Sequence, residues 1–432
     1  MEKNSQSRRN FLKKSTLAAT AITLVPRHVL GGRGFIPPSD KINLGFIGTG
    51  KLARGYFENF AELPEVHLLA GCDVNSRKLN NFKSLVDDHY SDVKSNDKYS
   101  DCKTFENYKE LLELKEIDAV VIVTPDHWHA IPSIDAMKAG KDVFCEKPLA
   151  HTVYEGREMV KAARKFNRIV QTGSMQRSWR DFRHACELVY NGYLGEISQI
   201  IVNVGDPARE CDLPEEPMPD NLNWDQWIGP AQMRPYNQIL SPPLENNEWP
   251  MWRDYREFGG GILADWGAHM FDIAQWALGM DNSGPVHFIP PKDPSAVRGL
   301  KMIYGNGVEL LHEDFERGYG VRFIGSEGTL DVSRSFLDSK PDNIAGIEIK
   351  SSDKRLYFSE NHYQDWIDAI KKKSRPVADV ETGHRSASVC NVANIAYRLN
   401  RELHWDPIKE SFPKDKEANK LRTKKYRKPY SL

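Results

Sequence analysis

Several features that commonly reveal a protein's class are missing from this 432-residue sequence. Its six cysteines include no Cys-x-x-Cys pair, so we predict neither a disulfide framework nor a zinc site. The formal net charge of −1 gives no electrostatic reason to bind nucleic acid or an anionic membrane. No apolar run reaches the length of a transmembrane helix, and there is no internal repeat. These absences leave a globular protein of ordinary composition, long enough for two domains.

The start of the sequence resembles an export signal. Arg8 and Arg9 are followed by an apolar stretch, residues 17–25, which is too short to span a bilayer as a stable helix. This order resembles a twin-arginine signal, so we expect residues 1–33 to be a leader and the protein to be exported to the periplasm. A disordered basic leader is the alternative.

A glycine-rich turn follows the first buried strand. Residues 42–47 are almost wholly apolar and predict a parallel strand, and a helical pattern begins after the turn. In this setting residues 48–53 form the G-x-G-x-x-A turn, whose glycines let a pyrophosphate approach the backbone. Asp73 ends the next strand, where an acid accepts hydrogen bonds from ribose hydroxyls and favours NAD, although Arg77 keeps NADP possible. The predicted cofactor contacts in this part are Gly48, Thr49, Gly50, Lys51, Leu52 and Asp73.

Further strands alternate with helices, which predicts a doubly wound parallel sheet. Ligands bind such sheets beyond the carboxyl ends of the strands, so the residues that follow the strands share one edge. Lys147 follows a short apolar strand at this edge. A lysine here can donate or accept a proton, and a surface lysine at a strand end is the alternative. The other edge residues predicted to contact the cofactor, together with Lys147, are Thr124, Pro125, His129, Glu146 and Gln171.

His127 and His129 could instead be a pair of metal ligands. No carboxylate or third histidine stands at convincing ligand spacing, and both histidines lie in the turn after a strand. We therefore favour packing at the cofactor edge and predict no metal.

The second half of the sequence has a different organisation. Residues 206–250 are rich in proline, which predicts a long ordered loop or lid. Tryptophans in and just after this loop either stack on a sugar ring or pack to hold the loop, and we favour packing because large aromatics dominate burial. They are Trp224, Trp227, Trp249 and Trp252. Trp252 and Arg177 are also candidate substrate contacts.

A glycine run at residues 259–261 leads into a helical pattern. Asp265, His269 and Asp272 share one face of it, at i, i+4 and i+7. A carboxylate one turn from a histidine can orient the ring and stabilise its charged form, so this pair predicts a site of proton transfer. A capping aspartate with a solvated histidine is the alternative. Asp265 and His269 are our candidates for both catalysis and substrate binding.

The remaining sequence predicts strands at 307–311, 329–332 and 346–349, and then helices. The tail from residue 411 is basic, and we expect it to be a solvated strap over the surface. The predicted organisation is a leader (1–33), a dinucleotide-binding domain (34–173), a substrate and oligomerisation domain (174–405) and a basic strap (406–432).

Together these motifs resemble the glucose-fructose oxidoreductase and inositol dehydrogenase (Gfo/Idh/MocA) family from about residue 41 onwards. The resemblance rests on the glycine turn, Thr124-Pro125 with His129, Glu146-Lys147-Pro148 and Asp265-x-x-x-His269. It implies a Rossmann domain, then an α/β domain with a large, open, mostly antiparallel sheet that often forms a dimer or tetramer contact. It implies an NAD-dependent oxidoreductase acting on CH–OH groups of sugars, glycosides or cyclitols.

The resemblance also implies roles for individual residues. Lys147 would contact the nicotinamide and the reacting oxygen, and His269 would be the proton donor or acceptor. Asp265 would support His269 or bind the substrate.

Three functions stay open. The leading hypothesis is an exported oxidoreductase that holds its cofactor tightly, because the periplasm keeps no free pool of pyridine nucleotides. The second is a redox-neutral glycosidase of the same family, in which transient oxidation of a ring carbon lets the leaving group be eliminated. The third is a nucleotide-binding sensor that keeps the fold and has lost the chemistry.

Overall fold

A computed structural model of the chain describes residues 36, 40–94, 101–246 and 248–432. The leader predicted over residues 1–33 lies outside these ranges. Residues 42–432 form one unit built on two sheets. Within the described ranges, every helix is too short or too polar to cross a membrane.

The first sheet has six parallel strands in the order β3-β2-β1-β4-β5-β6. Its central strands are buried on both faces, which explains why their sequences are continuous apolar runs rather than alternating patterns. The boundaries of β1 and β2 are those that these runs predict. The strands are β1 (Ile42–Ile47), β2 (Val66–Cys72), β3 (Lys103–Phe105), β4 (Ala119–Ile122), β5 (Asp142–Cys145) and β6 (Val170–Thr172).

Five helices connect these strands and build two separate apolar clusters against the sheet. The strand order reverses between β1 and β4, which opens a crevice at the carboxyl ends of the strands. The helices are α1 (Lys51–Ala61), α2 (Ser76–Lys94), α3 (Tyr108–Glu113), α4 (Ala130–Lys138) and α5 (Val153–Lys165).

The second sheet has eight strands in the order β13-β12-β11-β7-β10-β9-β8-β14. Only β7 and β10 pair in parallel among these strands, so the sheet is mixed and mostly antiparallel. The predicted fold class is therefore confirmed. The strands are β7 (Ile197–Asn203), β8 (His287–Ile289), β9 (Leu300–Ile303), β10 (Glu309–His312), β11 (Gly320–Gly325), β12 (Gly328–Val332), β13 (Leu337–Lys340) and β14 (Leu403–His404).

One predicted strand is wrong. Residues 346–349 are irregular, and the edge strand of the sheet is β13 instead. The alternating isoleucines Ile347 and Ile349 do pack against the apolar core, which accounts for the pattern. They form no ladder with a neighbouring strand in the described chain, so the pattern reflects burial and not β-structure.

Helices α6, α8 and α10 share one apolar cluster with this second sheet. Helix α9 instead places Trp366 and Ile370 in a cluster of the Rossmann domain, so it joins the two halves of the molecule. The loop predicted over residues 206–250 is largely irregular but contains α7 and one short 3₁₀ turn. The helices are α6 (Arg180–Tyr190), α7 (Trp224–Ile228), α8 (Gly261–Ala277), α9 (His362–Lys372), α10 (Val380–Leu399) and α11 (Lys416–Lys420).

Helix α8 carries the predicted Asp265 and His269, and it begins where the chain passes very close to itself. Gly261 has φ +73°, and a Cβ there would lie 2.5 Å from the carbonyl oxygen of Asp206. The Leu263 N–H then donates to that same carbonyl oxygen at 2.8 Å. Only glycine fits this approach without strain. The helix is buried along most of its length, which takes its polar side chains out of water.

Arg177 forms a buried ion-pair network with this helix. Its side chain is 2 % exposed and binds Asp272 through two nitrogens, each at 2.8 Å. It also binds Asp281 at 2.6 and 2.9 Å. Four hydrogen bonds of the guanidinium thus go to two carboxylates of the protein. The prediction that Arg177 contacts substrate gains no support from this geometry, and we assign it a structural role.

Arg177→Met is expected to lower the free energy of unfolding by about 3–5 kcal/mol, because it leaves Asp272 buried without its counter-ion. Arg77→Met is a matched control, since the ion pair of Arg77 with Glu245 is exposed. The control is expected to cost less than about 1 kcal/mol. Urea denaturation measures both values. Normal stability of Arg177→Met together with a raised KM would restore Arg177 as a substrate contact.

Candidate active site

A cavity of about 480 Å³ runs along the carboxyl edge of the Rossmann sheet. It is lined by the segments that follow β1, β2, β4 and β5, and by parts of the loop over residues 240–253. The size is that of a small-molecule or cofactor site. Of the predicted cofactor contacts, those that line it are Gly48, Gly50, Lys51, Leu52, Asp73, Thr124, Pro125, His129, Glu146 and Lys147.

The glycine turn shapes one part of this cavity. Gly48 has φ +89°, and a Cβ there would lie 2.7 Å from the carbonyl oxygen of Val123, so a side chain cannot be added without strain. Around Gly50 there is nothing within 4 Å of a Cβ position, so its backbone is open to the cavity. The N-cap residue of α1 is Gly50, which has no side chain to cap the helix. The backbone N–H groups at such a helix N-terminus suit a phosphate.

Asp73 is held rigidly at the rim of the cavity. One carboxylate oxygen accepts from the Thr49 backbone N–H at 2.8 Å and from the Thr49 hydroxyl at 3.2 Å, and the other accepts from the Asn75 N–H at 2.8 Å. A carboxylate at this position accepts hydrogen bonds from ribose hydroxyls and repels a 2′-phosphate. Arg77 is instead paired with Glu245 at 2.6 Å. The residues present therefore fit NAD. Thr49 contributes by fixing Asp73 and does not itself line the cavity.

His129 joins two turns that border the cavity. Its ring nitrogens lie 2.9 Å from the Thr124 carbonyl oxygen and 2.9 Å from the Pro148 carbonyl oxygen. Burial lowers the pKa of His129 to about 4, so the ring is neutral and donates to one carbonyl at a time. This contact fixes the turn after β4 to the residue that follows Lys147. The alternative that His127 and His129 are a pair of metal ligands gains no support from their geometry, because a ring nitrogen of His127 contacts the Trp227 carbonyl oxygen at 3.1 Å.

Lys147 and Asp265 meet across the two halves of the molecule. The Lys147 ammonium donates to the Asp265 carboxylate at 2.8 Å and to its backbone carbonyl at 3.0 Å. Arg253 Nε donates to the same carboxylate oxygen at 3.1 Å. Burial alone would raise the pKa of Asp265, but the charges of Lys147 and Arg253 outweigh it and hold the pKa well below its usual range. Asp265 is therefore a fixed anion beside the lysine.

His269 lies one turn further along α8 and is 3 % exposed. Burial holds the pKa of His269 well below its usual value, and the positive charges of Lys147 and Arg334 act in the same direction. The ring is therefore neutral near pH 7 and can accept a proton. Its Nδ1 has no hydrogen-bond partner in the described chain. The alternative of a solvated histidine is wrong, since the ring is buried.

Two further acids line the cavity close to Lys147. Burial raises the pKa of Glu146 to about 7 and that of Asp126 to about 8. The Tyr56 hydroxyl donates to the Glu146 carboxylate. Asp126 stands two residues after Thr124 and is not among the residues predicted for the site. Its position immediately after the predicted Thr124-Pro125 turn was the signal that could have revealed it.

Not every predicted residue reaches the cavity. Gln171 is fully buried in β6, and its amide donates to the His362 carbonyl oxygen at 2.6 Å, which places it behind the cavity wall. Trp224 and Trp227 stack on each other with centroids 4.6 Å apart, as packing predicts. Trp252 is buried in the same apolar cluster as this pair, whereas Trp249 is 54 % exposed. Trp227, Trp249 and Trp252 line the cavity, so Trp227 and Trp252 serve both packing and the site.

The basic tail is bound rather than merely solvated. Arg427 pairs with Asp225 at 2.5 Å, and Lys424 pairs with the buried Glu155 at 2.8 Å. Tyr430 packs edge-on against Trp128, with centroids 5.3 Å apart, and lines the cavity. The prediction of a solvated strap is wrong in this respect, because the composition of the tail could not show which acids lie beneath it.

Gly50→Val is expected to lower the affinity for NAD at least tenfold, because the new side chain fills open space in the cavity. The free energy of unfolding should change by less than about 0.5 kcal/mol, since nothing else is displaced. Gly48→Val is the matched control. It should destabilise the fold by about 1–3 kcal/mol through its strained φ. Titration calorimetry with NAD and urea denaturation separate the two effects, and unchanged affinity in Gly50→Val would place the phosphates elsewhere.

Relatives with known names share parts of this chain. A "Glycosyl hydrolase family 109 protein" of Shewanella pealeana is 30% identical over 205 residues, 44% of each chain. A "Myo-inositol 2-dehydrogenase" of Thermotoga maritima is 26% identical over 338 residues, 78% of this chain and 75% of that protein. The chain therefore spans less than half the length of the first of these relatives and three quarters of the second.

Solved structures agree on the fold. The aldose-aldose oxidoreductase of Caulobacter crescentus superposes with a TM-score of 0.58 over 84% of this chain and 99% of that one, at 19% identity. The sequence model "Oxidoreductase family, NAD-binding Rossmann fold" matches residues 42–174. The model "Oxidoreductase family, C-terminal alpha/beta domain" matches residues 207–432, more than half of the chain. With the Rossmann cavity and the second sheet described above, these matches show that the chain belongs to the Gfo/Idh/MocA oxidoreductase family and that its N-terminal domain binds NAD.

Proposed function

We propose that this NAD-dependent oxidoreductase acts on a ring hydroxyl, or the corresponding ketone, of a sugar, glycoside or cyclitol. The observation that carries the proposal is the group formed by Lys147, Asp265 and His269. A largely buried ammonium, a fixed anion and a neutral imidazole lie close enough to interact, and Lys147, which carries the ammonium, lines the NAD cavity. This set can move one proton while a hydride moves, which is what alcohol oxidation requires.

NAD, when bound, supplies the hydride acceptor. The protein's own residues have to bind the substrate oxygen and remove its proton. Lys147 can donate a hydrogen bond to that oxygen and stabilise the negative charge that develops on it. Neutral His269 can then accept the hydroxyl proton, and in the reverse direction it would return the proton to the ketone oxygen.

Asp265 positions the lysine and does not itself need to accept a proton. Its carboxylate stays ionised under the influence of Lys147 and Arg253, so Lys147 is held at one place by two hydrogen bonds. Asp265 could also accept a hydrogen bond from a second substrate hydroxyl. The cluster thus matches a polyol, in which a neighbouring hydroxyl stands beside the one that reacts.

The tail supports the further proposal that NAD is held tightly. Pro429 and Tyr430 line the cavity. The ion pair of Lys424 fixes this segment to Glu155 of the Rossmann domain, and that of Arg427 fixes it to helix α7 of the long loop. A bound segment over a cavity slows escape of its ligand. Tight retention fits export to the periplasm through the twin-arginine route, as does assembly into a homodimer or homotetramer before export. Export and assembly are proposals that rest on the sequence.

A redox-neutral glycosidase is the second candidate. The Shewanella relative named as a glycosyl hydrolase favours it, over the 44% of its length that this chain matches. In that reaction, oxidation of a ring carbon to a ketone acidifies the neighbouring C–H, and loss of that proton eliminates the leaving group. Water then adds to the resulting double bond, and the hydride returns to the ketone. Lys147 and His269 would remove the hydroxyl proton during the oxidation and return a proton to the ketone oxygen during the final reduction.

Lys147→Ala is expected to lower kcat by about 10²–10⁴-fold while the affinity for NAD changes little, because the ammonium contacts the reacting oxygen more than the cofactor. Lys147→Arg is the matched control. It keeps a positive charge beside Asp265, so its stability should be close to that of the wild type. Because arginine does not exchange a proton near neutral pH, its activity should stay low. Steady-state kinetics and NAD titration test both variants. Normal turnover by Lys147→Ala would show that the assignment is wrong.

A panel of nitrophenyl glycosides, incubated with the purified protein and no added NAD, separates the candidate functions. A net oxidoreductase with retained NAD should show one turnover of nicotinamide reduction and no release of nitrophenol. A redox-neutral glycosidase should release nitrophenol repeatedly without net reduced nicotinamide. NAD that binds but never changes redox state with any sugar would favour a sensor and contradict both enzymatic functions.

A further inference from the structure

Arg334 stands in the tight turn between β12 and β13. The Ser333 hydroxyl accepts hydrogen bonds from the Ser335 N–H at 3.0 Å and from the Phe336 N–H at 3.2 Å, which fixes this turn. The Arg334 guanidinium lies over the ring of Trp266, 4.5 Å from its centroid, and over that of Trp179 at 5.3 Å. A turn held by its own hydrogen bonds therefore places a cation on two aromatic rings.

This guanidinium has no ion pair or hydrogen bond to the protein in the described residues. The neighbouring arginines differ in this respect. Arg322 binds Asp331 through two nitrogens, each at 2.7 Å, and Arg317 binds both Asp331 and Asp338. The acids of this hairpin are thus already neutralised. Arg334 keeps its five donors available at an exposed position.

The same rings lead to the proposed catalytic centre. The centroid of Trp266 lies 5.9 Å from that of His269. Tyr319 also packs against Trp266, with ring centroids 5.1 Å apart, and is 38 % exposed. Trp179 is 39 % exposed. Exposed aromatic rings and an unpaired guanidinium thus form a surface that Trp266 connects to the buried His269.

The electrostatics agree with this placement. The positive charge of Arg334 contributes to the lowered pKa of His269. Although the residue as a whole is exposed, partial burial of its guanidinium lowers the pKa of Arg334, an effect that the negative charges of Asp265 and Glu146 oppose. The Arg334 guanidinium, which extends from a turn of the second sheet, therefore interacts electrostatically with His269 and Asp265, as Lys147 does.

We propose that Arg334, with Trp179, Trp266 and Tyr319, forms a subsite that binds the carboxylate and ring of a sugar acid. The planar fork of arginine matches a carboxylate with two parallel hydrogen bonds. The exposed parts of the Trp179 and Tyr319 rings suit the apolar face of a pyranose ring. The subsite rests on the proposed function and deepens it, because it specifies a uronate as the class of substrate whose ring hydroxyl reaches Lys147 and His269.

A single arginine favours a carboxylate over a phosphate group. The other cations of the centre, Lys147 and Arg253, are both bonded to Asp265. A phosphate dianion would be left with one positive charge to balance two negative ones. A uronate has a single negative charge, which one guanidinium neutralises.

The test compares matched sugars that differ only at C6: glucuronides with glucosides, and galacturonides with galactosides. The wild-type protein, loaded with NAD, should bind and turn over the uronides at least tenfold better. Arg334→Gln should lower kcat/KM for uronides about tenfold to a hundredfold, chiefly through KM, and should change kcat/KM for the neutral glycosides much less. Arg334→Lys should restore only part of the loss, because it keeps the charge without the fork.

Arg183→Gln is the matched control variant, since Arg183 also lies over an exposed aromatic ring, that of Phe358 at 4.3 Å. It should not change the preference for uronides. Equal use of neutral sugars and uronides by the wild type, or preference for sugar phosphates, would overturn the subsite while the oxidoreductase function stands. Binding of uronides that is lost in Arg334→Gln, without any hydride transfer, would support the subsite and contradict the proposed function.

Discussion

The ion pair between Lys147 and Asp265 is the contact on which the arrangement of the site depends. Lys147 follows β5 of the Rossmann sheet, and Asp265 belongs to α8, which packs on the second sheet. Two charges that are each only about an eighth exposed, at 13 % and 12 %, would be costly to bury apart. Their pairing therefore ties the cofactor half of the molecule to the half that carries His269. Arg253 adds a second cation, so the segment that directly follows the long loop is attached to the same carboxylate.

The physical surroundings of this pair explain the division of roles. Asp265 is surrounded by cations and stays anionic, while His269 is buried near positive charge and stays neutral. Glu146 and Asp126 are buried acids whose pKa values are raised to about 7 and about 8. The site thus holds acids on both sides of neutrality within one cleft. Groups with separated pKa values are what proton transfer at near-neutral pH requires.

Much of the Rossmann half could be predicted from the sequence, because parallel strands buried on both faces appear as continuous apolar runs. The glycine turn and Asp73 could be placed for the same reason, since local spacing fixes them relative to β1 and β2. Tertiary contacts could not be predicted in this way. Helical spacing indicated Asp265 as the partner of His269, but its carboxylate binds Lys147 and Arg253, which come from distant segments.

The partners of buried polar residues could not be predicted from the sequence. The sequence shows Arg177 and Gln171 as polar residues near the predicted edge, but both are enclosed by other parts of the chain. Arg177 finds two carboxylates, and Gln171 finds a backbone carbonyl. Whether such a residue faces a ligand or the protein depends on long-range packing. Arg334 shows the reverse case, since nothing in its local sequence distinguishes it from the paired arginines nearby.

The bound tail has a consequence for how the protein matures. The cavity takes its first wall from the glycine turn near residue 50 and another from Pro429 and Tyr430, segments far apart in sequence. During synthesis the Rossmann strands can pair and expose the turn long before the tail leaves the ribosome. A dinucleotide can therefore enter an open crevice, and docking of the tail afterwards would enclose it. Because translation runs from the N-terminus to the C-terminus, NAD would bind in the crevice first, and the tail would cover it last.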